Sequence, residues 1–318
     1  MSLQAKVWLV IIAILVIIGF VLFITIMWNC NWDITKLGAD QYETNTYAIT
    51  DPFSNIYVES DTADVVFVSN EGTGSSVACY ERKNVKHSVY IKDDALIIKV
   101  NDTRKWYEHI GIYFGTPKVT LTLPQEVYTS LSVRTDTGDV AIPAEFTFFD
   151  VNISGSTGSI TSSADASDVV RIKTSTGSIC IQDASAGSLD LSVSTGKIAV
   201  SNVICTGDIM ADVTTGKTDI DNVSCRNLFS DGDTGDLILK NVIAAEKFDI
   251  ERDTGDVKFE DCDAAKIFIE TDTGDVTGNF LTDKVFLTET DTGRIDVPKT
   301  VTGGRCEIST DTGDIKIR

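Results

Sequence analysis

The chain has 318 residues, with 47 Asp and Glu against 27 Lys and Arg, a formal charge of −20, and seven Cys beside only two His. So acidic a surface repels nucleic-acid phosphates and anionic headgroups, which excludes both as direct ligands. The cysteines (30, 79, 180, 205, 225, 262 and 306) make no CxxC or CxxxC pair, so no zinc-type spacing is present and their usage leaves the compartment open.

Residues 1–6 carry Lys6 and the amino terminus, the only positive charges ahead of a long apolar run. Val7 to Trp28 has no charge and one hydroxyl, Thr25, and is long enough to span a ~30 Å hydrocarbon core as a helix. Trp8 and Trp28 sit where interfacial aromatics belong, and the positive flank places residues 1–6 in the cytoplasm and the bulk of the chain outside. The rival reading is a cleaved signal sequence. It needs small residues at the cleavage site, where this chain has Met27-Trp28-Asn29 before Cys30. Residues 7–28 therefore read as an uncleaved single-pass anchor, and 29–54 as a polar juxtamembrane spacer.

Residues 55–127 read as an N-terminal β cap. Ile56, Val58, Val65 and Phe67 alternate around Ala63 as a degenerate coil of the repeat described below. Val77–Tyr80, Ser88–Ile91 and Leu96–Val100 alternate as antiparallel strands with an Asp93-Asp94 turn, and Lys118–Leu123 is a strand stopped by Pro124. Trp106, Tyr107, Tyr113 and Phe114 are expected to pack this cap, the alternative being a ligand-stacking patch.

Residues 128–318 are a repeat. A Thr-Gly pair recurs with Gly138, Gly158, Gly177, Gly196, Gly216, Gly235, Gly255, Gly274, Gly293 and Gly313, always 19 or 20 residues apart. Apolar residues alternate on both sides of each Gly, giving strand, tight corner, strand. Six residues after Gly a second corner is marked by Asp183, Asn202, Asn222, Asn241 and Asp261. A 19-residue unit cannot bury its own apolar face, but stacked units can. The expected fold is all-β: a β-solenoid of the parallel β-helix kind, about ten coils ~4.8 Å apart, behind an N-terminal β cap and one transmembrane helix. The final strand, Ile315–Ile317, has no cap sequence after it and is expected to be an open edge, either guarded by the charges of Lys316 and Arg318 or pairing with another copy of the chain or a partner.

Chemistry is sought first in the aspartates. Asp233, Asp253, Asp272 and Asp291 share one repeat phase, as do Asp236, Asp256 and Asp275 three residues on. Stacked carboxylates repel by ~1 kcal/mol per pair near water, and Ca²⁺ between coils would relieve that. Ser156, Ser175, Ser194 and Thr214 hold the first phase in other coils, however, so these residues also read as simple turn formers. Six Asp-Thr-Gly triplets stacked in a column cannot supply the two converging carboxylates of an aspartic protease. A carbohydrate-active solenoid needs a long loop to wall a cleft, and these coils never depart from their length. With both His (87 and 109) in the cap, no Ser-His-Asp or Cys-His set is expected.

The layout of Ile56–Phe67, the strand ending at Leu123-Pro124, Leu131-Ser132-Val133 and the Thr-Gly-Asp-Val series to Arg318 resembles DUF4097, a bacterial family of adhesin-like β-strand-repeat proteins. The resemblance covers nearly everything after the anchor. It implies a membrane-associated surface protein and brings no catalytic residues. Function is therefore expected to be binding or scaffolding, with a glycan or protein ligand on a solenoid face. The alternative is a cell-envelope stress sensor or regulatory partner, since some relatives are linked to such responses.

Overall fold

The structure, a computed structural model, describes residues 3–29, 32, 42–104 and 115–318. Trp106, Tyr107, His109, Tyr113 and Phe114 lie outside the described residues. Helix α1 (Leu3–Asn29) is long and apolar enough to cross a membrane, and Trp8, Leu15, Phe20 and Trp28 on it are exposed.

Strands alternate because their residues do. In the cap, β1 (Tyr42–Ile49), β2 (Asn55–Ser60), β3 (Asp64–Asn70), β4 (Ser75–Arg82), β5 (Val85–Lys92), β6 (Ala95–Asp102) and β7 (Lys118–Pro124) follow one another. β1 lies in the stretch read as a spacer. Its Thr- and Asn-rich sequence suits an edge strand, and it pairs antiparallel with β4. Asp93 and Asp94 both take left-handed φ (50° and 61°), closing the β5–β6 hairpin. The solenoid continues with β8 (Val127–Thr137), β9 (Val140–Ile142), β10 (Thr147–Thr157) and β11 (Ile160–Ser162). Longer strands then turn corners without a break: β12 (Asp165–Cys205), β13 (Asp208–Thr234), β14 (Leu237–Thr254) and β15 (Val257–Thr273). Last come β16 (Val276–Phe280), β17 (Lys284–Thr292), β18 (Ile295–Asp296), β19 (Gly304–Thr312) and β20 (Ile315–Ile317).

Coils stack in parallel and in register, with Gly196 opposite Gly216 and Val200 opposite Ile220. Stacking is why the corner must be Gly. A Cβ on Gly216, whose φ is +141°, would sit 1.7 Å from the carbonyl oxygen of Gly196. At the second corner Asp183, Asn202, Asn222, Asn241 and Asp261 are all left-handed (φ 49–54°). Their side chains form a ladder there: Asn202 Nδ2 donates to Asp183 Oδ1 at 2.9 Å, and Asn222 Nδ2 to Asn202 Oδ1 at 2.8 Å.

Both ends depart from chain order. β8 and β9 stack on β2 and β3, as the Ala63 coil requires, but β6 and β7 then lie on the far side of β2 and β3. The first coil in sequence is thus second in space. At the other end β15 and β16 pair with β19 and β20, while β17 and β18 pair only with that last coil. The coils marked by Gly274, Gly293 and Gly313 therefore stack in the order 274, 313, 293. This corrects the expectation of an open C-terminal edge. β20 is paired on both sides, Arg318 N donates to Gly278 O at 2.9 Å, and the open edge is β17–β18. Self-association through Ile315–Ile317 has no free strand to use. Lys284 crosses the inserted coil over Gly304, which has no side chain in the way. Its buried Nζ donates to Ala264 O at 2.8 Å and pairs with Asp263.

One apolar core runs from Ile56 to Ile317. Aliphatic residues fill its middle, and aromatics plug its ends: Phe67, Tyr128, Phe146 and Phe148 at one, Phe248, Phe259, Phe280 and Phe286 at the other. Arg252 is buried in this core at a phase that elsewhere holds Thr, Val or Gly. Gly232 on the neighbouring coil makes the room, since a Cβ there would lie 2.6 Å from Arg252 Nη1. The guanidinium donates to Ser230 Oγ at 2.7 Å and to Glu251 O at 2.9 Å.

Candidate functional site

Three surfaces hold the polar chemistry. The first is the pair of aspartate phases. Asp233, Asp253, Asp272 and Asp291 are exposed at the Gly corner. Because of the swapped coils, Asp311 stands between Asp272 and Asp291, so those two are not on adjacent coils. The second phase has a defined partner. Asp236 Oδ1 accepts from Asp256 N at 3.0 Å, Asp256 Oδ1 from Asp275 N at 2.9 Å, and Asp275 Oδ1 from Asp314 N at 2.8 Å. Each carboxylate thus ties its corner to the next coil through a charge-assisted hydrogen bond. Among the described residues neither phase brings three ligand atoms together.

The second is a shallow trough of ≈ 460 Å³ across β14, β15, β19 and β17, at the open end of the rod. Register sets Asp249, Phe268, Glu307 and Leu287 in one outward row, and Glu251, Glu270, Ser309 and Glu289 in the next. Leu287 is half exposed, at 53%. Glu251, Glu270 and Glu289 have no ion-pair partner among the described residues, whereas Asp249 pairs with Lys247 at 2.9 Å. The trough is acidic with an apolar strip and, along its rim, the outer edge of β17, which is paired with β19 on its other side.

The third lies inside the cap. Cys79 and Glu81 alternate onto one side of β4, and the turn at Lys83-Asn84 brings His87 of β5 back beside them. His87 Nδ1 is 2.8 Å from Glu81 Oε2, and its Nε2 is 3.4 Å from Ser60 Oγ. Glu81 also accepts from His87 N at 2.6 Å and Asn45 Nδ2 at 2.7 Å. Burial pushes the Glu81 carboxyl up, but these bonds outweigh it and hold it below the ordinary range. Burial, with Glu81 adding to it, pushes the Cys79 thiol up to about 12. No Ser-His-Asp set is expected from the sequence, yet Ser60, His87 and Glu81 lie in the corresponding relation, with Glu in place of Asp. All three are nearly inaccessible (4%, 4% and 1% exposed), and the cavity beside them holds ≈ 10 Å³, about one water. A substrate carbonyl has no room there. The sequence hid this cluster because Cys-x-Glu-x₅-His is no familiar spacing. Cys79 and Glu81 two apart on a strand, with His87 just past a tight turn, were the signal available.

The remaining sites are simpler. Cys205 and Cys225 stack as buried free thiols, small hydrophobes rather than a bridge.

A family profile described as Toastrack DUF4097 matches residues 53–220 and 206–318. No curated protein sequence matches the chain. Solved structures of similar fold include a "putative adhesin" from Parabacteroides distasonis (11% identity, TM-score 0.49, covering 88% of this chain and 98% of that one). A "putative lipid binding protein" from the same organism has 13% identity and TM-score 0.47, with 87% and 97% covered. A "putative adhesin" from Bacteroides fragilis has 14% identity and TM-score 0.35, with 87% and 97% covered.

Proposed function

The chain belongs to the DUF4097 (Toastrack) family, and on that premise we propose a membrane-anchored extracytoplasmic binding module that captures an extended, basic polypeptide on its sheet face and catalyses nothing. The observation that carries this reading is the trough. Glu251 and Glu270, unpaired on adjacent strands, repel each other by ~1 kcal/mol near water, Glu289 adds its charge two strands further on beyond Ser309, and a cationic ligand relieves that. The unpaired rim of β17 offers main-chain partners to a strand laid along it, and Leu287 and Phe268 offer apolar contact. The Ser60-His87-Glu81 set supports a module without catalysis, because all three residues are buried and the cavity beside Glu81 and His87 has, among the described residues, room for about one water. Helix α1 supplies the anchor.

Calorimetric titration of the full chain in detergent tests the occupant. A peptide of alternating Lys and Val is expected to bind, to weaken as salt rises, and to lose about tenfold, roughly 1.4 kcal/mol, on Glu251→Lys with Glu270→Lys. Binding of a neutral oligosaccharide but not of the peptide would make the module a glycan binder instead. Orientation has its own test. A membrane-impermeant maleimide on intact cells is expected to label the partly exposed Cys180; labelling only after permeabilisation would place the rod in the cytoplasm.

A further inference from the structure

We infer that Cys79, Glu81 and His87 form a zinc site inside the cap, with the small cavity at their side supplying a water as fourth ligand. One ligand atom from each residue lies within 4.8 Å of the other two, and all three residues are buried. A thiolate, an imidazole and a carboxylate suit Zn²⁺, which prefers four such ligands in a tetrahedron. At Zn–N and Zn–O distances of ~2.0 Å, the nitrogen and oxygen ligands stand roughly 3.3 Å apart. His87 Nδ1 and Glu81 Oε2 are 2.8 Å apart, so the pair need open by only about half an ångström. The sulfur moves inward by at most about 1.2 Å to stand roughly 3.6 Å from each.

The surroundings supply the rest of a centre. When Nδ1 ligates, the ring proton belongs on Nε2, and Nε2 faces Ser60 Oγ at 3.4 Å. A hydrogen bond from the second ring nitrogen to an oxygen is what fixes a ligating histidine. Asn45 Nδ2 keeps its bond to Glu81 Oε1 at 2.7 Å and orients the carboxylate. The cavity touches Glu81 and His87 and is about one water in volume. The charges also close: a thiolate and a carboxylate neutralise the dication, so the loaded site is formally neutral and inexpensive to bury. Binding releases the Cys79 thiol proton, and the imidazole moves its Nδ1 proton to Nε2. No electron moves, because zinc does not change oxidation state. The site would bind its metal as part of the cap fold, apart from the ligand trough at the other end of the rod.

The full chain in detergent, stripped with chelator, is titrated with Co²⁺ and then with Zn²⁺. The expected result is one equivalent of Co²⁺ giving a near-ultraviolet thiolate-to-cobalt band with the visible bands of a tetrahedral centre, both bleached by Zn²⁺. Cys79→Ser and His87→Gln are expected to weaken binding ~100-fold or more, and Ser60→Ala about tenfold. Cys205→Ser is expected to change nothing. Far-ultraviolet circular dichroism identifies a variant that has unfolded. The wild-type spectrum decides independently of any variant: absence of the thiolate band overturns the site. A band that survives Cys79→Ser also overturns it and places the metal on another thiol.

Discussion

Deleting residues 304–318 separates the observed coil order from the order of the sequence. If coils stacked as the chain runs, the cut would remove only the outermost coil and leave β17 lying on β15. In the observed order it removes β19, the lateral partner of β17 among the described residues, with which β17 shares eight register positions. Keeping the nine residues of β17 ordered costs on the order of 9–18 kcal/mol in backbone entropy. With β19 gone, the contacts left are Lys284 with Asp263 and Ala264 O and the Phe286 ring against Phe280, together worth roughly 2–4 kcal/mol. The deletion also discards Cys306, Ile308, Ile315 and Ile317, all buried, a direct loss on the order of 6–12 kcal/mol. Two coils should therefore melt for one removed. Hydrogen exchange read by mass spectrometry reports it directly: β17 amides that face β19 are protected in the full chain and exchange as in an unfolded peptide after the cut. Retained protection of β17 in the truncated chain would refute the swapped order.

Other consequences are smaller in scale. Gly216→Ala combines a left-handed backbone with a 1.7 Å contact, and should destabilise by about 3–5 kcal/mol through strain and broken ladder bonds. Gly155→Ala, whose nearest neighbour would be 3.6 Å away, should cost under about 1 kcal/mol, and equal midpoints in denaturant for the two would sink the stacking argument. Gly232→Ala should destabilise by forcing Arg252 aside and by crowding Val213 O, 2.9 Å from the added Cβ, and adding Arg252→Thr should restore part of the stability; no recovery at all in that double variant would mean that Arg252 is not what Gly232 makes room for. Burial pushes the Cys225 and Cys306 thiols up to about 12, so both stay protonated at pH 8. Iodoacetamide at that pH should label Cys180 first and these two only on unfolding, as peptide mapping would show.

Most of the architecture could be read from residue spacing because the solenoid's constraints are local. A corner that brings carbonyl and Cα together in coil after coil strongly favours Gly, and a left-handed corner favours Asn or Asp, so both periods are written in the chain. Ala63 could stand in the Gly place and still be recognised, since alternation around it was intact. Coil order is not local. Phe280 and Lys299 stand where the Asn/Asp corner belongs, but so do Ala144 and Ala164, whose coils remain in sequence order. The missing corner alone therefore does not mark the exchange. Gly303-Gly304, which clears the path of Lys284 and lets Asp283 O approach within 1.9 Å of a would-be Cβ, is intelligible only once the neighbours are known. The cap cluster was hidden for a related reason. Ser60, Glu81 and His87 come from three strands, and only β4 and β5 are joined by a short turn. The acidic trough was half legible: the phases of Glu251 and Glu270 follow the period, but its rim depends on which strand is left unpaired.

The swapped ends also set an order on synthesis. In a simple solenoid each coil can settle onto the one made before it as the chain emerges. Here β2 and β3 appear first yet need walls from β6–β7 on one side and β8–β9 on the other, so they must wait for residue 142. The interior can then grow coil by coil. At the far end growth pauses again: the Gly293 coil is made with nothing to lean on, and is held only when the final strands slot in behind it. Folding of this rod thus starts late and finishes last-in, with both closing steps resting on contacts distant in sequence.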